Sequence, residues 1–272
     1  MSQSEASPTR EEWQRMTRAA ALQQGHDPSL TEEDALFLDV DGTLVEFADH
    51  PDAVSAPTGL VETLASVETK LAGALALVSG RKIGELDRLF APLRLRASGV
   101  HGVEFRFEPS DPPELWSQAP DLSPRLVAEI VELANSFPGV LIEHKGYSLA
   151  VHYRRSPARG PALRDALRGL ADRDESGGVE VLEAHFAFEV KPKGFDKGDA
   201  IRRFLDNETF RGRRPVFVGD DLTDEAGFAV ARACGGRAYS VAGQRAGAVC
   251  AFAGPAEVRA WLSGFAGLRN FG

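Results

Sequence analysis

Short apolar runs that break off into polar, glycine-bearing strings set the pattern of this chain. Residues 35–40 (ALFLDV) lead into Asp41-Gly42, residues 75–78 (LALV) into Ser79-Gly80-Arg81, and residues 215–218 (PVFV) into Gly219-Asp220-Asp221. Continuous apolar runs of this length suit strands buried on both faces, and the stretch 60–71 carries helical periodicity. Strand–helix alternation predicts an α/β fold built on a doubly wound parallel sheet, Rossmann-like. Ligands of such sheets bind beyond the carboxyl ends of the strands, where all three runs place their polar residues.

The middle of the chain reads differently. A helical stretch at 124–137 is followed by alternating runs at 140–143 and 148–153, then by a second helix near 161–172 and runs at 179–182 and 187–190. That α-β-β-α-β-β order predicts an antiparallel sheet with helices on one face. It reads as an inserted α+β module over residues 112–191, set into a core of residues 34–111 and 192–272. Residues 1–33 read as an N-terminal extension. Thr9 and Glu12 have capping-box spacing there, and Trp13, Met16 and Ala20 recur at helical intervals until Gly25 ends the pattern.

Composition narrows the classes. The 272 residues are 43% hydrophobic and 26% charged, which suits a globular chain and not a disordered or fibrous one. With 31 basic and 40 acidic residues the net charge is −9, which argues against nucleic acid or an anionic membrane as the main partner. No apolar run approaches the roughly 18 residues needed to span a bilayer, and the polar start lacks a signal-peptide core. The expectation is a soluble, cytoplasmic protein. Cys234 and Cys250 have neither a disulfide framework nor metal-ligand spacing. Oligomeric state stays open.

The chemistry gathers at the strand ends. In Asp39-Val40-Asp41-Gly42-Thr43-Leu44 the two acids lie two residues apart, so an extended chain points both into one crevice. At roughly 4 Å and an effective dielectric near 20 they repel by about 4 kcal/mol, which calls for a cation or a function. Alone, Asp-x-Asp-Gly also spells a turn or a calcium loop. Asp220, Asp221 and Asp224 add acids after the run at 215–218, Lys197 adds a compact positive charge, and Ser79 adds a hydroxyl. Converging carboxylates without imidazole or thiolate partners suit Mg²⁺, and the set together forms a phosphoryl-transfer kit.

The order Asp39-Val40-Asp41-Gly42-Thr43, Ser79, Lys197, Gly219-Asp220-Asp221 resembles the four motifs of the haloacid-dehalogenase superfamily. Finer spelling resembles its trehalose-6-phosphate phosphatase family: Val78-Ser79-Gly80-Arg81, His101-Gly102-Val103-Glu104, Glu189-Val190-Lys191-Pro192, Lys197-Gly198 and Gly219-Asp220-Asp221-Leu222-Thr223-Asp224-Glu225. The resemblance implies Mg²⁺-dependent hydrolysis of the small sugar phosphate trehalose 6-phosphate through an aspartyl-phosphate, beneath an inserted cap. It implies Asp39 as nucleophile, Asp41 as general acid and base whose backbone carbonyl is a metal ligand, and Ser79 and Lys197 on the phosphate. Asp220 is the implied side-chain metal ligand, with Asp221 and Asp224 as supporting acids.

For substrate binding the resemblance implies Lys145, Glu189 and Lys191 of the module, together with Arg81, His101 and Glu104 of the core. His101 and Glu104 read equally as tethers of the hinge between modules, and His152 as a satisfied core histidine. His144 stands where an acidic residue is expected, and Lys191 where arginine is common. The nearest rivals are sucrose-phosphate and mannosyl-phosphoglycerate phosphatases of the same superfamily. A phospho-accepting receiver domain lacks both the second acid at plus two and an inserted module. A sugar-sensing relative without turnover is disfavoured because every catalytic residue type is present.

Overall fold

The computed structural model describes residues 28–46, 54–115, 122–174, 178–184 and 186–268; the helix expected between residues 9 and 20 lies outside them. Strands β1 (Asp34–Leu38) and β2 (Leu75–Val78) are buried along their whole length, as their unbroken apolar spelling requires. They flank helix α1 (Leu60–Lys70), whose Leu60, Leu64 and Val67 form one buried stripe. The chain continues through α2 (Ile83–Leu89), β3 (Arg96–Gly99), β4 (Glu104–Arg106) and β5 (Glu114–Leu115).

The inserted segment carries α3 (Pro124–Asn135), β6 (Leu141–His144), β7 (Leu149–His152), α4 (Gly160–Arg173), β8 (Val179–Ala184) and β9 (Ala187–Pro192). The return to the core supplies α5 (Lys197–Asp206), β10 (Arg214–Gly219), α6 (Glu225–Ala233), β11 (Arg237–Val241), β12 (Val249–Phe252) and α7 (Pro255–Ala266).

Eight strands form the larger sheet in the order β12-β11-β10-β1-β2-β3-β4-β5. Its first six run parallel, and the β3–β4 and β4–β5 pairings are antiparallel. Because β1 lies between β10 and β2, the residues that follow these three strands come out side by side on one edge. Beneath them Phe37 stacks on Phe210 at 5.4 Å and tilts against Phe204 at 6.0 Å. Phe37→Ala would cost about 3–5 kcal/mol through the cavity it leaves.

Two arginines explain why β3 and β4 escape a hydrophobicity reading. Arg96 of β3 is buried against Glu68, Glu108 and the Gly73 carbonyl, and Arg106 of β4 forks onto Asp87 at 2.7 and 2.6 Å. Strand β5 pairs with β4, so the larger sheet extends to Leu115.

The smaller sheet is antiparallel, in the order β6-β7-β9-β8. Helices α3 and α4 cover one face with Leu126, Ile130, Leu163 and Leu167, packed on Leu149, Val151, Phe188 and Val190. Alternation along the strands turns Glu143, Ala150, His152, Ala187 and Glu189 to the other face, toward the carboxyl edge of the larger sheet. No helix among the described residues is long and apolar enough to cross a membrane.

Candidate active site

Asp39 emerges from β1 with its N–H donated to the Val218 carbonyl at 2.9 Å, which fixes it beside the end of β10. Gly42 then turns the chain at φ 80°, a left-handed conformation favoured by glycine. The buried Lys197, first residue of α5, donates to Asp39 Oδ1 at 2.7 Å and to Asp224 Oδ1 at 2.6 Å. The other oxygen of Asp224 accepts the N–H groups of Asp220 at 3.0 Å and Asp221 at 2.9 Å. This packing requires glycine at 219, where a Cβ would lie 2.4 Å from the Asp224 carboxyl carbon. The Thr43 hydroxyl lies 3.5 Å from Asp39 Oδ2 and 3.3 Å from Asp220 Oδ1, bridging the two strand ends.

Asp39, Asp220 and Asp224 each present an oxygen within 4.8 Å of the others. Crowding sets their protonation. Burial pushes the Asp39 carboxyl well above its ordinary range, and the charges of Asp224 and Asp220 add to this against the opposing pull of Lys197. Burial, then the Asp224 charge, pushes Asp220 up to about 7. For Lys197 burial works toward neutrality, but Asp224 and Asp39 outweigh it and hold the ammonium charged.

A cavity of about 220 Å³ separates this cluster from the smaller sheet. On the core side it is lined by Asp39, Asp41, Ser79, Arg81, His101, Lys197 and Asp221. Arg81 grips Asp41 through both Nε and Nη2, each at 2.6 Å. The facing wall carries Glu143, Lys145, His152, Arg154 and Glu189.

Core and module meet at Glu189. Its Oε2 lies 2.8 Å from His101 Nε2 and 3.4 Å from Lys145 Nζ, and Ser148 donates to Oε1 at 2.6 Å. Burial alone would raise the Glu189 carboxyl. The His101 and Lys145 charges and the hydrogen bonds from His101 and Ser148 outweigh it, holding Glu189 well below the ordinary carboxylate range. Lys145 also donates to the Gly80 carbonyl at 3.1 Å, so the module is fastened directly to the loop that bears Ser79. His101 reaches Glu189 from a left-handed backbone, φ 51° and ψ 38°, of the kind concentrated at functional sites.

Two expected substrate contacts do not line the cavity. Glu104 Oε2 accepts the Ile83 N–H at 2.7 Å, bracing the Ser79 loop from behind. Lys191 is buried, bonded to the Phe195 carbonyl and paired with Glu180 at 2.8 Å. Glu143 and His152 line the cavity as well. Glu143, one position before the expected acid, lines the cavity and lies 2.9 Å from His152 Nε2. His152 is thus a partly exposed wall residue and no core histidine. The pairing of Glu143 with Ala150 on the strand face that also carries His152 was the available signal.

The sequence matches the description Trehalose-phosphatase over residues 37–242. The chain belongs to the trehalose-phosphatase family. It is 37% identical over 237 residues to the trehalose-6-phosphate phosphatase of Escherichia coli K12, covering 86% of this chain and 87% of that one. It is 40% identical over 202 residues to a probable trehalose-phosphate phosphatase of Sinorhizobium fredii, covering 74% and 75% respectively. Among solved structures, the C-terminal domain of Candida albicans trehalose-6-phosphate phosphatase superposes with a TM-score of 0.79 at 24% identity, over 88% of this chain and 94% of that one. That likeness shows a shared fold. The chain is accordingly a phosphatase.

Proposed function

We propose that the chain hydrolyses trehalose 6-phosphate to trehalose and phosphate through an aspartyl-phosphate on Asp39, with Mg²⁺ as cofactor. The observation that carries this reading is the placement of Asp39, Lys197 and Asp220 around one point beneath a wall of sugar-compatible polar groups.

The donor set fits a hard cation. All candidate ligands are oxygens, and burial, with the charges of neighbouring acids added to it, raises the carboxyls of Asp39 and Asp220 against the pull of Lys197. Asp224 already spends both oxygens on Lys197 and two backbone N–H groups, so it orients the site. Asp39 and Asp220 would hold the ion, and the family resemblance adds the main-chain carbonyl of Asp41. Mg²⁺ bound there supplies positive charge against the phosphate and the attacking carboxylate.

The protein's own residues do the rest. Lys197 fixes one oxygen of Asp39 and adds charge beside the incoming phosphoryl group, and Ser79 donates to a phosphate oxygen. The Asp39 carboxylate forms a bond to phosphorus as the bond from phosphorus to the sugar oxygen breaks. Asp41 delivers a proton to that departing oxygen. A water molecule then attacks the phosphoryl group, giving its proton to Asp41, and the bond to Asp39 breaks to release phosphate. Glu189, Lys145 and Glu143 offer acceptors and a donor to sugar hydroxyls, and His101 orients Glu189. Arg81 orients Asp41, Glu104 braces the Ser79 loop, and Lys191 anchors the return from the module.

Phosphate release with Mg²⁺, measured on trehalose 6-phosphate beside glucose 6-phosphate and sucrose 6-phosphate, tests the assignment. Preference for trehalose 6-phosphate in kcat/KM is the expected result. Faster release from either alternative would overturn the substrate.

A further inference from the structure

Asp220 is held by a loop that lies outside every motif described above. The segment 242–248 joins β11 to β12 and is braced along its length. Ser240 Oγ donates to the Gly243 carbonyl at 2.7 Å, Gln244 Nε2 to the Ala248 carbonyl at 2.8 Å, and the Ala246 N–H to Glu225 Oε1 at 3.2 Å. Ala242 holds φ 58°, a left-handed conformation uncommon for a non-glycine residue.

A loop fixed this firmly carries one basic side chain, the half-buried Arg245. Its Nε donates to the main-chain carbonyl of Asp220 at 2.7 Å. Asp224 takes the N–H of the same residue at 3.0 Å. Asp220 is thus gripped at both backbone polar groups, which fixes its dihedrals and the direction in which its carboxylate leaves the chain. Release of the carbonyl would let the carboxylate swing off the Thr43 hydroxyl, 3.3 Å away, and out of the cluster with Asp39.

We infer that Arg245 is a positioning residue for the cation site, acting through the backbone of Asp220. The inference rests on the reading of Asp220 as a metal ligand. Its sign separates it from simple electrostatics. A guanidinium beside a cation site repels the cation, so a residue acting by charge alone would weaken Mg²⁺ binding, and its removal would tighten it. A positioning residue does the opposite. Outer partners of this kind are worth about 10–100-fold in metal affinity.

Calorimetric titration of the full chain with Mg²⁺ alone, without substrate, reads this directly. R245M, which keeps the apolar stem and loses the donor, is expected to raise the Mg²⁺ dissociation constant about tenfold. R245K, which restores a charged donor, is expected to recover part of the loss. R245L, which likewise has no donor, carries the same expectation as R245M should the latter not fold. An unchanged or lower dissociation constant in R245M or R245L, with binding intact in the parent chain, overturns the inference and leaves the proposed function standing. That outcome, accompanied by a lower metal-free Tm, marks a role in loop stability only. Absence of Mg²⁺ binding in the parent chain overturns the metal reading itself.

Discussion

Arg81 and Asp41 form a two-pronged ion pair in the cavity wall, Nε to Oδ2 and Nη2 to Oδ1, both at 2.6 Å. A planar fork of this kind fixes both the position and the plane of a carboxylate. The carboxylate so fixed is the one two residues from Asp39 that is proposed to carry protons to and from the leaving group.

Loss of the fork should therefore be felt through the leaving group. R81Q is expected to lower kcat for trehalose 6-phosphate about tenfold to a hundredfold, within the range that general acid catalysis supplies. Its effect on p-nitrophenyl phosphate, whose leaving group departs without a proton, should be several-fold smaller. Steady-state kinetics on both substrates checks this. Equal losses on the two would assign Arg81 to phosphate binding.

Lys197 separates two buried carboxylates, so its removal is a charge defect as well as a catalytic one. K197M leaves Asp39 and Asp224 without their shared counter-ion and should destabilise the metal-free fold by about 3–5 kcal/mol. Denaturant unfolding measures it. Mg²⁺ should return part of that stability while phosphate release stays near background. Stability equal to that of the parent would mean that the pair is not formed in solution.

Glu189 gives a pH dependence whose sign follows from its partners. Its folded-state carboxyl is held below the ordinary value of 4.5 by His101, Lys145 and Ser148, which outweigh burial. A depressed carboxyl contributes stability that is present above its ordinary value and is lost as the pH falls below it. E189Q should be less stable than the parent at neutral pH. The gap in Tm should narrow as the pH is lowered below about 4.5. A gap independent of pH would contradict this origin.

The framework of the site was legible because strand periodicity and burial act locally. The runs within residues 35–40, 75–78 and 215–218 suited buried strands, and in a parallel sheet the acids, hydroxyl and glycines after them share one edge. The helices and strands of the module were legible for the same reason, as in the alternation at 148–153. The outer strands were not. Strand β3 spells RASG and β4 spells EFR, and both are buried only because Arg96 and Arg106 find acidic partners far along the chain.

Lys191 shows a limit of alternation. It shares the spacing of Ala187 and Glu189, but β9 runs past the cavity and delivers its ammonium to Glu180 and the Phe195 carbonyl. Arg245 lies 25 positions from Asp220, and nothing in its own neighbourhood announces the contact.

Glu143 is where sugar recognition should be most separable from chemistry. The hydrogen bond from His152 is the main influence that holds it charged, facing the cavity opposite the acid cluster. E143Q is expected to raise KM for trehalose 6-phosphate about tenfold, as for one lost charged hydrogen bond, while inhibition by inorganic phosphate stays unchanged. A fall in kcat with constant KM would place Glu143 in the chemical step.

Phosphate release by D39N is the most direct test of the site as a whole. The asparagine keeps the shape of the residue and removes the nucleophilic carboxylate, so turnover of trehalose 6-phosphate in saturating Mg²⁺ should fall to background in a folded protein. Turnover at the rate of the parent chain would show that the phosphoryl group is transferred elsewhere.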